Sequence, residues 1–139
     1  MKLRLVLIHS FLPLALGAVL YLLFRSEHLK VIELFSVFGI ENQLMIVRNQ
    51  FIDLKSNIPS WIYYSAPDGL WSYSFIASYS FLWSERSNLW QYLAVFFCLS
   101  YEILQGLKIL PGTFDFMDLA MIALGFILNK LILKPKFSL

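Results

Sequence analysis

This chain has little of what a soluble protein of its size relies on. Of its 139 residues only 14% are charged, against about 25% in ordinary soluble domains, too little ionic surface to coat a globule in water. Cys98 is the single cysteine, which excludes a disulfide framework and a paired-thiol site. The two histidines, His9 and His28, are not at HxxxH spacing, so the common zinc arrangements are absent. No GxSxG elbow, no Ser/His/Asp order and no glycine-rich phosphate loop can be placed. The net charge of +2 is small and dispersed, which excludes a nucleic-acid partner. No internal repeat or low-complexity tract occurs.

What is present is apolar. Hydrophobic residues make up 59% of the chain and the mean hydropathy is +0.69. A domain this small cannot hide such an excess in a water-soluble core. The composition predicts a single integral membrane domain over residues 1–139. Its fold class is all-α and polytopic, with four transmembrane helices over residues 5–24, 69–83, 89–105 and 116–133. The first stretch, twenty residues at 1.5 Å each, spans about 30 Å of hydrocarbon. Lys2 and Arg4 precede it as they would a signal peptide, yet the apolar run continues through Phe24, past the small residues Ala15 and Gly17, so it reads as an uncleaved helix. The second and third stretches fall short of the hydrocarbon thickness.

Residues 25–68 form a long segment between the first two spans. Leu44, Val47, Phe51 and Leu54 recur at helical spacing with polar residues between them, which predicts an amphipathic or partly re-entrant outer segment. Lys2, Arg4, Arg86, Lys130, Lys134 and Lys136 fall in short segments on one side. The cations of the other side are spread over longer ones, which places both termini in the cytoplasm. Trp83 and Trp90 bracket the inner turn 84–88, and Trp61 and Trp71 read as outer interfacial anchors.

The acids beside these spans carry most of the functional information. Asp68 precedes the second span and can serve as its N-cap. Asp115 and Asp118 open the fourth at capping-box-like spacing, after the breaker Pro111-Gly112. Glu102 is the acid that capping cannot explain: it lies inside the third span, with Gln105 on the same helical face. An intramembrane acid is costly and faces a bundle interior or a wet cavity. The expected site is a recessed outer pocket for a polar or cationic ligand, lined by Asp68, Glu102, Gln105, Asp115 and Asp118 and roofed by residues 25–68. Its carboxylates suit a hard cation such as Mg²⁺ or Ca²⁺, although no metal and no cofactor is assigned from the sequence. His9 and His28 read as packing or surface residues, and Cys98 as an inert mid-span thiol. Gly106, Ala123 and Gly125 are candidates for close helix packing.

The stretch Tyr101-Glu102-Ile103-Leu104-Gln105, the turn Pro111-Gly112-Thr113-Phe114-Asp115-Phe116-Met117-Asp118-Leu119, and Gly125 resemble the VanZ-like family of small membrane proteins. In that family a Glu-x-x-Gln ends one span, a turn carries two acids, and a small residue follows. Ser65-Ala66-Pro67-Asp68-Gly69-Leu70-Trp71 is similar to the family's acidic entry into its second span. The resemblance covers residues 59–133. It implies a small cell-envelope protein of the inner membrane, one associated with glycopeptide tolerance. Two departures stand out: the basic residue and histidine that often follow the Asp68 position are missing, and Thr113 and Phe114 stand where many members carry an arginine. The expected role is binding, in contact with membrane lipid, as a complex subunit or homo-oligomer. The alternative is an intramembrane enzyme acting on a lipid-linked envelope precursor, with Glu102 as general acid/base and Asp115 or Asp118 holding a metal. The absent nucleophile counts against catalysis.

Overall fold

The computed structural model describes residues 2–25, 30–83, 89–110 and 112–137, and every regular element among them is helical. The readings made for His28, the turn 84–88 and Pro111 lie outside the described residues. The first apolar run is α1 (Lys2–Val6), a π-helical turn (Leu7–Phe11) and α2 (Leu12–Phe24). The outer segment breaks into α3 (Lys30–Val37), α4 (Glu41–Gln50), α5 (Ile52–Asn57) and α6 (Ser60–Tyr64). Three long helices complete the chain: α7 (Ala66–Leu82), α8 (Leu89–Gly106) and α9 (Phe116–Phe137). Among the described residues, two helical stretches are long and apolar enough to cross a membrane, Leu3–Phe24 with 22 residues and Phe116–Leu133 with 18.

The π turn has a local cause. Pro13 has no N–H to give the carbonyl four residues back, that of His9, and its ring crowds that carbonyl. The chain widens by one residue just before it, and Leu12 N–H closes a bond to Leu7 C=O. This turn carries His9 and Ser10, which meet α7: His9 Nδ1 and Tyr73 OH are hydrogen-bonded at 2.7 Å, and Ser74 Oγ donates to Ser10 C=O. His9 is therefore a packed, hydrogen-bonded residue.

Helix α7 is the hub, packed against α2, the π turn, α8 and α9. Its inward side is built of small and polar residues, with Gly69, Ser72, Ser74, Ala77 and Ser80 all buried. The close approach to α9 depends on two glycines. A Cβ on Gly125 would lie 2.7 Å from Gly69 C=O, and one on Gly69 would lie 3.0 Å from Met121 C=O. Of the three residues expected to pack closely, Gly125 does so, whereas Gly106 and Ala123 are exposed. On the opposite side Gly17 lies under Trp71, whose indole donates to Leu14 C=O at 3.3 Å. Trp71 is thus engaged with α2 rather than standing as a free interfacial anchor. Trp83 and Trp90 stack on each other at 4.7 Å, which ties the end of α7 to the start of α8. There Gln91 donates to Ser80 Oγ, and Lys130 Nζ donates to Gln91 Oε1, so α7, α8 and α9 are joined by one polar chain.

The partition of side chains is reversed relative to a water-soluble protein. Ser10, Arg48, Ser65, Ser72, Glu102, Asp118 and Asn129 are buried, while Leu3, Phe11, Phe96, Phe97, Phe116 and Leu131 are exposed. Asp118, Ile122, Gly125, Asn129 and Leu133 form the single buried stripe of α9, at the spacing that faces one partner. Asn129, 1% exposed, has neither amide atom hydrogen-bonded. A buried, unpaired amide is destabilising by about 1–3 kcal/mol, and an apolar residue of the same shape removes that penalty. Asn129→Leu is therefore expected to hold or raise the thermal unfolding midpoint in detergent. A lowered midpoint would mean that the amide contributes a bond of its own.

The outer segment is anchored by a buried cation. Arg48, on α4, donates to Leu22 C=O at 2.9 Å and to Arg25 C=O, the carbonyls left unpaired at the end of α2. Its apolar neighbours point away: Val37 is 80% exposed, and Phe38, Ile46 and Ile52 are also exposed.

Candidate functional site

Three helix ends meet at one end of the bundle. Helix α7 starts at Ala66 with Pro67 in its first turn, which suits a ring that needs no N–H bond there. Asp68 therefore sits inside the first turn instead of capping it. Helix α8 runs through Glu102 and closes at Gly106 with a C-terminal motif in which Ile109 N–H bonds Leu104 C=O and Lys108 N–H bonds Gln105 C=O. Lys108 takes the left-handed conformation, φ 57°, that glycine usually fills. Gly112, φ 141°, then brings the chain round to α9.

In α9 the two acids of the turn separate. Asp115 is exposed, and its Oδ1 accepts the Met117 N–H at 2.9 Å as a helix N-cap. Asp118, one turn later, points inward and is 6% exposed. It joins Glu102, 4% exposed, and the half-buried Asp68. Each of the three offers a carboxylate oxygen within 4.8 Å of the other two. Gln105 packs against Gly112, whose added Cβ would stand 2.6 Å from Gln105 Cδ. Of the five residues expected in the pocket, Asp68, Glu102 and Asp118 form the cluster, while Gln105 and Asp115 shape the turn beside it.

The electrostatics of this cluster are severe. Two full negative charges 4–5 Å apart repel by about 3–4 kcal/mol at an effective dielectric of ~20, and three such pairs cannot be held without compensation. The N-termini of α7 and α9 contribute their positive dipole ends, and the Ser65 hydroxyl faces the Asp118 carboxylate. Arg25 is the cation whose charge reaches all three acids, although its Nη1 donates to Tyr64 C=O at 3.0 Å. Its guanidinium also lies over the rings of Tyr21 and Tyr64, at 5.5 and 5.4 Å. Even so, Glu102 Oε2 and Asp118 Oδ1 are buried without any hydrogen-bond partner among the described residues.

Beside the cluster opens a cavity of about 490 Å³, lined by Asp68 and Glu102 at its polar end and by Leu14, Trp71, Phe75, Phe97, Tyr101 and Ile122 elsewhere. Carboxylates at one end of aromatic walls suit a positively charged group, which gains from both. Cys98, one turn before Glu102 on the same face, also lines this cavity. The sequence gives Arg25, Ser65, Trp71 and Tyr101 no place in the expected pocket. The i, i+4 relation of Cys98 to Glu102 was the one available signal for the cavity wall, because it puts both on one face of α8. The chain matches no family model, no curated protein and no solved structure.

Proposed function

We propose that this chain is a four-span, VanZ-like protein of the cell envelope whose acidic pocket binds a positively charged group presented from the bilayer or by a membrane partner. In this reading α7 and α8, about 26 and 27 Å long at 1.5 Å per residue, join the two longer apolar helices as spans. Both termini lie on the cytoplasmic side of the inner membrane, and α3–α6 lie in the outer interface, amphipathic or partly re-entrant. The exposed apolar side chains of α2, α8 and α9 then face acyl chains or a subunit partner. The observation that carries the reading is the convergence of Asp68, Glu102 and Asp118 beside an apolar cavity that Asp68 and Glu102 line, with two buried carboxylate oxygens unpartnered among the described residues. The same burial of Glu102 favours, as the second reading, a general acid/base for an intramembrane reaction. Of the serines on this side, Ser65 faces the Asp118 carboxylate and Ser72 Oγ donates to Gly69 C=O.

The single cysteine lies in the cavity wall, so occupancy can be read chemically. In protein purified in a neutral maltoside detergent, dodecyltrimethylammonium is expected to slow N-ethylmaleimide labelling of Cys98 by about tenfold, followed by intact mass. In Glu102→Gln that protection is expected to fall away. Equal labelling of the wild type with and without the cationic amphiphile would overturn the reading.

A further inference from the structure

We infer that Asp68, Glu102 and Asp118 form a binding site for a hard divalent cation of the Mg²⁺ or Ca²⁺ class. The inference rests on the proposed reading of this pocket as one that accepts positive charge, and it names that charge. Oxygens bound to one Ca²⁺ lie about 2.3–2.6 Å from it, so two ligands on opposite sides of the ion stand roughly 5 Å apart. The three carboxylate oxygens lie within 4.8 Å of one another, so all three fit inside a single coordination sphere. The donor set is all oxygen and anionic, which selects Mg²⁺, Ca²⁺ or Mn²⁺ over softer metals.

A second observation points the same way independently of that spacing. Among the described residues, Glu102 Oε2 and Asp118 Oδ1 are buried and accept no hydrogen bond, an arrangement that is unfavourable for a carboxylate unless a cation faces it or a proton neutralises it. Among the described residues, the nearby groups fill that role only in part. Ser65 offers one hydroxyl to Asp118, and the Arg25 guanidinium is directed to Tyr64 C=O and to two aromatic rings. The ligands come from α7, α8 and α9, one from each. A bound cation therefore ties together three helices whose shared end is otherwise self-repelling.

Terbium(III) takes the place of Ca²⁺ at oxygen sites, and Trp71 and Tyr101 in the cavity wall are placed to sensitise its emission. Purified wild-type protein excited in the aromatic band is expected to give terbium emission that Ca²⁺ or Mg²⁺ displaces. Glu102→Gln and Asp118→Asn are expected to weaken terbium binding by about 100-fold, and Asp115→Asn by no more than about twofold, since Asp115 caps α9 outside the cluster. Because a variant could fail to fold, the unfolding midpoint of the wild type is read in parallel. It should rise with Ca²⁺ or Mg²⁺ and fall back with a chelator. Emission of equal strength in wild type and Glu102→Gln, or a midpoint indifferent to both cations, would overturn the cation site. If the cationic amphiphile still protects Cys98 in that case, the pocket stands and only the metal is lost. If neither binds, both readings fail.

Discussion

Gly125→Leu is expected to separate α7 from α9 and to give the largest loss of stability of any single substitution in the bundle. The first added carbon alone would lie 2.6 Å from Ser72 Oγ and 2.7 Å from Gly69 C=O, with Tyr73 N at 3.2 Å. The serine hydroxyl cannot simply rotate away, because it already donates to that same carbonyl at 2.9 Å. The carbonyl itself is backbone of the hub helix. The helices must therefore move apart by most of an ångström, and overpacking of that kind costs about 1–3 kcal/mol for one carbon and more for an isobutyl group. Gly125→Ala is expected to lower the unfolding midpoint in detergent by about 5–10 °C, and Gly125→Leu to prevent recovery of monodisperse protein. Gly106→Ala is the control: its added carbon meets the Phe114 ring at 3.3 Å, at an exposed position where the ring can yield. Equal midpoints for Gly125→Ala and Gly106→Ala would show that α7 and α9 do not meet at Gly125.

Arg48→Met is expected to release the outer segment from the bundle. Arg48 is 9% exposed, and its guanidinium donates to two carbonyls at the end of α2. Those carbonyls carry the negative end of the helix dipole and have no intrahelical partner. Hydrogen bonds from a charged donor contribute about 1.5–3 kcal/mol each, so the substitution costs several kcal/mol less whatever is recovered by no longer burying a cation. Lysine, a point charge, cannot fork between two carbonyls as arginine does, so Arg48→Lys should recover only part of the loss. Limited proteolysis gives the readout. Cleavage within α3–α5 should rise sharply in Arg48→Met, with the packed α7–α9 pair still protected. An unchanged cleavage pattern would mean that Arg48 does not hold the segment.

Much of this architecture is legible in the residues because its causes are local. The helical stretches follow from runs of apolar residues, and Pro13 announces the widened turn that presents His9 and Ser10 to α7. Glu102 stands out because nothing on its own helix neutralises it. The difference between Asp115 and Asp118 is also written locally once the start of α9 is known. Asp115 precedes the first turn and caps it, whereas Asp118 falls on the stripe shared with Ile122, Gly125, Asn129 and Leu133. Placing Asp68 ahead of its helix is the reading the residues invite, because an aspartate after Pro67 and before an apolar run suits an N-cap. The structure starts the helix at Ala66, where Pro67 fits the first turn and Gly69 lets Met121 approach.

By itself the sequence determined the composition class, the positions of the apolar helices and the presence of acids where acids are expensive. Those are properties of single segments, governed by hydropathy, helical periodicity and the chemistry of one side chain. Only the tertiary structure decided that Asp68, Glu102 and Asp118 converge while Asp115 stays exposed at the turn, and that Arg48 closes the end of a helix more than twenty residues before it. Each of these depends on the rotation and depth of helices relative to one another. That relation is set by where glycines let α7 and α9 touch, and no local pattern encodes it.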